Sequence, residues 1–213
     1  NVGDRVKRGD VIADAVELTL PVTNLTGTYQ AITPDINVAA DGHVYVVWQN
    51  HGDATFKIAG SDDCGSTWSS PSASTLKARL GDWSNEIPAQ CQRGIPTQPL
   101  VDVDRASSSD FYGRVYVALF DFNQSGCGSG PGCSSWSSTC NYDIWFMYSD
   151  NEGSTWSTPV NLTSGEGNLV DHFMGYMRVD EADGSIYISY HRTRLAPSAL
   201  SDRQKTHQFV MRS

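Results

Sequence analysis

Ser61-Asp-Asp-Cys-Gly-Ser-Thr-Trp68 recurs 88 residues later as Ser149-Asp-Asn-Glu-Gly-Ser-Thr-Trp156. The shared pattern is Ser-x-Asp/Asn-x-Gly-x-Thr-Trp, and its residue types specify a hairpin turn. Asp63 or Asn151 is expected to fold its side chain back onto backbone N–H groups, Gly65 or Gly153 to take a positive φ, and Trp68 or Trp156 to pack beneath the hairpin. An Asx turn is open to both Asp and Asn, so the two copies predict one structure.

Short period-two strands surround each octapeptide in a fixed order. Phe56–Ser61 and Ile144–Ser149 lead into the two turns, and Gln208–Ser213 is a third copy of that strand. Before these stand His43–Trp48, Arg114–Ala118 and Ser185–Tyr190, each opened by a nearby Gly. Before those stand Pro34–Ala40, Gln98–Asp104 and Met174–Asp180. After the turns come Thr67–Pro71 and Thr155–Pro159, with no third member. The repeating unit is therefore four short strands. Only Ser198–Lys205 has any helical look.

The octapeptide resembles the Asp-box (BNR) repeat of the sialidase superfamily, and Ser61, Asp63, Gly65, Thr67 and Trp68, with Ser149, Asn151, Gly153, Thr155 and Trp156, carry the likeness. The segments Asp104–Phe122 and Asp171–Tyr190 likewise resemble blades of secreted, sialidase-like bacterial proteins. The resemblance implies an all-β fold, a β-propeller of four-stranded antiparallel blades, incomplete in this chain. It divides the sequence into leading strands at 1–32, one of them (Glu17–Val22) an outer strand of a preceding blade, a blade at 33–80, a linker loop at 81–97, a second blade at 98–165 and a partial third at 170–213. Fewer than three blades leave open sheet edges, so the chain is expected to be completed by further blades or subunits and to associate in isolation. Val2–Ala13 looks like half of a biotinyl/lipoyl-type hairpin, without a second half.

Fold does not carry chemistry with it. The family's enzymes are retaining exo-glycosidases with an arginine triad for the sugar carboxylate, a Tyr nucleophile assisted by Glu, and an Asp acid/base. The nearest string to the first arginine's Arg-Ile-Pro motif is Arg93-Gly-Ile-Pro96, with an inserted Gly. No Tyr/Glu pair can be matched residue by residue. In the family the boxes lie on the outer rim, so Asp63 and Asn151 are read as turn formers, not acids.

The third blade holds the chemistry-bearing residues. Asp171, Tyr190 and Arg192 are the catalytic candidates, and His172, Tyr176, Arg178, His191 and Arg194 the substrate-binding ones, because guanidinium groups grip carboxylates through paired hydrogen bonds and the others supply acid/base and polar groups. The competing reading is that these are ordinary strand-end residues. Two functions stay open: a sialidase-like exo-glycosidase acting on terminal sialic acid or a related sugar, or a non-catalytic propeller that binds a glycan or protein partner or builds a surface assembly.

Composition narrows the setting. The 213 residues include 15 basic and 24 acidic side chains, for a net charge of −9. That balance disfavours nucleic acid, whose binding rests on clustered Lys and Arg. The longest apolar run, Val44–Trp48, is far too short to span a bilayer. The reading is of a secreted or extracellular protein, periplasmic or cell-surface included. No cofactor is expected, although Asp102, Asp104 and Asp110 with their intervening serines would also suit a Ca²⁺ loop. Cys64, Cys91, Cys127, Cys133 and Cys140 are odd in number, and the Gly/Ser-rich stretch around the last three is expected to hold a disulfide. Asn24, Asn123 and Asn161 open glycosylation sequons.

Overall fold

The computed structural model describes residues 31–50, 55–69, 72–73, 85–95, 97–123 and 141–213. The leading segment, the sequon at Asn24 and the cysteines at 127, 133 and 140 lie outside them. Cys64 is a free, exposed thiol. Cys91 is disulfide-bonded.

Among the described residues thirteen strands follow one another. The first four-stranded sheet is β1 (Ala31–Val38), β2 (Val44–Asn50), β3 (Thr55–Ser61) and β4 (Ser72–Ala73), paired in sequence order. A hairpin, β5 (Asn85–Ile87) with β6 (Gln90–Ile95), comes next. The second sheet is β7 (Gln98–Val103), β8 (Val115–Phe122), β9 (Tyr142–Ser149) and β10 (Val160–Asn161). The third is β11 (His172–Val179), β12 (Ile186–Thr193) and β13 (Thr206–Arg212), with the short helix α1 (Leu200–Arg203) between the last two. All of these pairings are antiparallel. The four-strand repeat read from the sequence is thus present twice in full and once with three strands.

Two details differ from expectation. The fourth strands begin just after the Trp-Ser segments: Ser69 and Ser157 each exchange two hydrogen bonds with one residue of the third strand, Gly60 and Tyr148, and regular pairing starts beyond the proline. The stretch 81–97, expected as a linker loop, contains the β5–β6 hairpin, whose Ile87 and Ile95 are fully buried between the second and third sheets. Burying two such side chains contributes about 1.5–3 kcal/mol each, enough to order a segment whose Gly and Pro suggest a loop.

The second sheet shows why the blades stack. Along β8, Val115, Val117 and Leu119 pack against Tyr45, Val47, Phe56 and Ile58 of the first sheet. Tyr116, Ala118, Phe120 and Phe122 pack against Phe173, Met177, Ile188 and Tyr190 of the third. A strand covered on both faces must be apolar at odd and even positions alike, and every residue of β8 is buried. The contact is close enough that a Cβ added to Gly175 would overlap the Phe120 ring and the Ser189 carbonyl.

The inner strands are joined by polar ties. Asp35 accepts a hydrogen bond from the Val101 N–H at 3.0 Å, and Asp102 accepts one from Val179 N–H at 2.8 Å. Arg105 reaches all three sheets: it donates to Asn37 Oδ1 and the Val38 carbonyl, pairs with Asp102, and pairs with Glu181. On the third sheet the face turned away from the second leaves Met174, Tyr176 and Val210 exposed.

Both octapeptides fold as expected. Ser61 Oγ donates to Asp63 Oδ1 and accepts from Gly65 N–H, while Thr67 donates both its N–H and its hydroxyl to the Asp63 carboxylate. Four donors of this kind, led by the Thr67 N–H, lower the Asp63 pKa to about 2. In the second copy Asn151 Oδ1 accepts from Thr155 N–H, but its Nδ2 now donates to Thr155 Oγ1, so the hydroxyl reverses its role. Gly65 and Gly153 take φ of 88° and 82°.

Candidate functional site

Strand order fixes which loops share an end of the molecule. In a four-stranded antiparallel blade, the turns from first to second and from third to fourth strand lie at one end, where both octapeptides sit. The connection from one blade to the next and the loop from second to third strand lie at the other. Residues 162–171 and 194–205 therefore meet at the start of β11 and the end of β12.

His172 is the first residue of β11 and is fully buried. Its Nδ1 stands 3.1 Å from the Tyr142 carbonyl and 3.5 Å from Asp143 Oδ1, and its Nε2 stands 3.1 Å from Glu166 Oε2. Acceptors on both ring nitrogens favour the doubly protonated imidazolium. Burial alone would lower its pKa, but the hydrogen bonds to Asp143 and Glu166 outweigh that and the value is raised. Asp143 is held by Asn141, Asn161 and Thr163. Asn161, read above as a glycosylation site, thus spends its Nδ2 on Asp143.

Glu166, on a single 3-10 turn (Ser164–Glu166), also accepts from Arg192 Nη1 at 3.1 Å. The Arg192 guanidinium lies 3.8 Å over the Phe209 ring, and its Nε is buried without a partner among the described residues. Tyr190 stacks on the same Phe209 ring and lies 5.7 Å from the His172 ring. Burial and then the Glu166 charge raise the Tyr190 phenol, against Arg192. Glu166, His172, Tyr190 and Arg192 thus form one cluster, with Glu166 and Arg192 partly open to solvent.

The other candidates stand apart from it. Asp171 is fully buried, and both its oxygens accept from Arg203 Nη2, at 3.2 and 2.9 Å. It offers no oxygen to the surface, so the catalytic acid read from the sequence is occupied by an internal ion pair. Tyr176 and Arg178 project from the open face of the third sheet, where Arg178 donates to its neighbour's carbonyl. His191 stacks on Phe173, and Arg194 is a mostly exposed partner of Asp202. Glu166 and Arg203 were not singled out in the sequence. Glu166 sits in a Gly-rich loop with no motif around it, and Arg203 in the short helical stretch.

The suggested Ca²⁺ loop is folded differently. Asp102 spends its oxygens on Val103 and Val179 N–H groups, and Asp104 on Ala106 N–H and the Ser109 hydroxyl. Among the described residues no three His, Cys, Asp or Glu side chains converge as metal ligands. No described helix is long and apolar enough to cross a membrane.

No family model and no curated protein matches this chain. Solved structures do. A protein of unknown function from Dyadobacter fermentans is 14% identical with a TM-score of 0.51, covering 87% of this chain and 51% of that one. The fold is a β-propeller. The propeller is also similar to an α-L-arabinofuranosidase from Fusarium graminearum (15% identity, TM-score 0.45, 78% of this chain and 42% of that one). A Hadza microbial sialidase is 16% identical, with a TM-score of 0.48, over 87% of this chain and 35% of that one. This chain thus spans about half or less of the length of the structures it matches.

The imidazolium reading makes a pH dependence explicit. A His whose folded pKa is raised stabilises fully below its unfolded value of about 6.5, and that stabilisation is lost as pH rises through the higher folded value. Melting temperatures of the wild type and of His172→Gln are therefore expected to differ most near about pH 6 and to converge toward about pH 9. A gap that widens with pH would show that His172 is buried neutral.

Proposed function

We propose that this propeller belongs to a secreted or cell-surface, sialidase-like Asp-box protein that handles glycans, and that the Glu166–Arg192–Tyr190 cluster is its sugar-binding edge. The observation that carries the reading is Arg192: a guanidinium at the blade-connecting end, backed by an aromatic ring, with Nε unpartnered and Glu166 as its only ion-pair partner among the described residues. Such a group accepts the carboxylate of an acidic sugar once Glu166 yields or is protonated. His191 and Arg194 flank this edge, while Tyr176 and Arg178 lie on the open face, which further blades or subunits of the whole protein would cover.

Two observations favour binding over hydrolysis for the chain alone. The Asp171 carboxylate is closed off by Arg203, and the Tyr190 phenol is raised, which opposes a tyrosinate nucleophile. Glycan-array binding with a parallel fluorogenic sialoside assay tests the reading. The wild type is expected to retain acidic glycans without rapid turnover, Arg192→Ala to lose about tenfold or more in affinity, and Glu166→Gln to bind more tightly because the guanidinium is freed. Unchanged retention by Arg192→Ala would sink the proposal, and fast sialoside cleavage abolished by Tyr190→Phe would move it to the enzyme reading.

A further inference from the structure

Among the described residues no strand pairs with the outer edge of β13, where the other two blades carry their fourth strand. Beside that edge lies an apolar cavity of about 220 Å³, lined chiefly by Phe146, Leu162, Ile186, Ile188 and Met211. The second blade shows what belongs in such a place. Ile188 pairs with Met211 as Val117 pairs with Met147, and Ile186 stands two residues before Ile188 as Val115 does before Val117. Val115, Val117 and Met147 belong to the cluster against which Trp156 packs. Trp156 opens the segment Trp156-Ser157-Thr158-Pro159-Val160. Its Ser157 exchanges two hydrogen bonds with Tyr148, the residue before the octapeptide serine, and its Val160 pairs with Phe146. The first blade repeats the pattern with Trp68-Ser69-Ser70-Pro71, where Ser69 bonds to Gly60 in the same way.

The sequence contains this segment a third time. Leu18-Thr19-Leu20-Pro21-Val22 places a large apolar residue three positions before the proline, a hydroxyl two before it and, as in the second blade, a valine after it. Laid on β13 in the register of the second blade, Thr19 meets the backbone of Arg212, Val22 pairs with Val210, and Leu18 enters the apolar cavity, which rewards its burial.

The copy of β13 that this segment reaches is not its own. Val22 precedes β1 by nine residues, and the third sheet stands two sheet spacings, about 20 Å, from the first with the second blade between them. On a second copy whose third sheet is stacked against this first sheet, the same residues make the ordinary step from one blade to the next. The two faces that meet in such a stack are open. Ile36 and Val38 of the first sheet are 48% and 46% exposed, and Tyr176 and Val210 of the third 67% and 65%. Asn37 on β1 and Asp102 on β7 each bond the backbone of the next sheet's first strand. Arg178 holds the corresponding place on β11, exposed, as a donor for a carbonyl of an incoming β1.

We propose that this chain associates head to tail with a second copy, the first sheet of one stacking on the third sheet of the other, and that residues 18–22 of the incoming copy complete the third blade as its fourth strand. Propellers close with about four to eight blades, and chains of three blades reach that range as a dimer of six. The pairing is independent of the sugar-binding reading at Glu166.

Sedimentation equilibrium of the full chain tests it. The wild type is expected at the mass of two chains. Leu18→Asp weakens association about tenfold or more, and Leu18→Trp, which restores the residue of the other two blades, tightens it. Mild oxidation in a Cys64→Ser background locates the contact: chains carrying Thr19→Cys mixed with chains carrying Arg212→Cys yield a covalent pair, and the double variant yields bridged dimers. A wild type that stays monomeric through the micromolar range, an open-ended ladder of larger species, a dimer whose affinity ignores both Leu18 changes, or a bridge closed within one chain overturns the proposal.

Discussion

Replacing Asp171 by Asn is expected to lower the free energy of unfolding by about 3–5 kcal/mol, read as a shift in the urea midpoint at unchanged slope. Both partners of the Asp171–Arg203 pair are fully buried. Removing one charge leaves a guanidinium in low dielectric without a counter-ion, and it also weakens the acceptor that Tyr142 N–H uses at 3.3 Å. The damage should reach the helix α1, since Arg203 is its last residue, and through it the loop that carries Arg194. Asp171→Leu combined with Arg203→Met should recover much of the loss, because a buried ion pair and a well-packed apolar pair differ little in net stability. If Asp171→Asn instead left stability intact while abolishing turnover of a glycoside, Asp171 would be the catalytic acid that the sequence suggested.

Asp102→Ala carries the second large effect, again about 3–5 kcal/mol. One carboxylate serves Val103 N–H, Val179 N–H and Arg105 at once, and it is fully buried between the second and third blades. Its removal orphans two backbone donors and leaves Arg105 with Glu181 as its remaining carboxylate partner among the described residues. Asp102→Asn keeps one acceptor and turns an amide donor toward another donor, so an intermediate loss is expected. Hydrogen exchange locates the effect: protection should fall first at Val179 and along β11. Uniform loss across β1–β3 as well would mean that Asp102 supports the whole stack and not one interface.

The architecture was legible because the repeat is written twice in residues with few alternative uses. Ser61, Asp63, Gly65, Thr67 and Trp68 each fill a distinct place in one turn, and the second copy preserves every place with Asn151 for Asp63. Period-two strands then located the three-strand core of each blade to within a few residues. The hairpin at β5–β6 was not legible, since two isoleucines among Gly, Pro and polar residues carry no periodic signal until a neighbouring blade supplies their cover.

The site was read less well, and for a physical reason. Tyr190, Arg192 and His172 were named from their place at strand ends, and the fold does bring them together. Glu166, which links two of them, lies on a loop whose path depends on Asn161, Thr163 and Asp143 bonding across strands. Asp171 looked like a free acid because its partner is 32 residues distant, on an element too short to read with a register.

Arg105 bears on how such a stack comes apart. In linear repeat arrays each interface contributes its own term, and neighbouring terms add. Here a single guanidinium is shared between the contact of the first blade with the second, through Asn37 and Val38, and that of the second with the third, through Glu181. Loosening one contact therefore frees the side chain that fastens the other. The two interface energies become non-additive, and the blades melt as one body where independent joints would let them peel away singly.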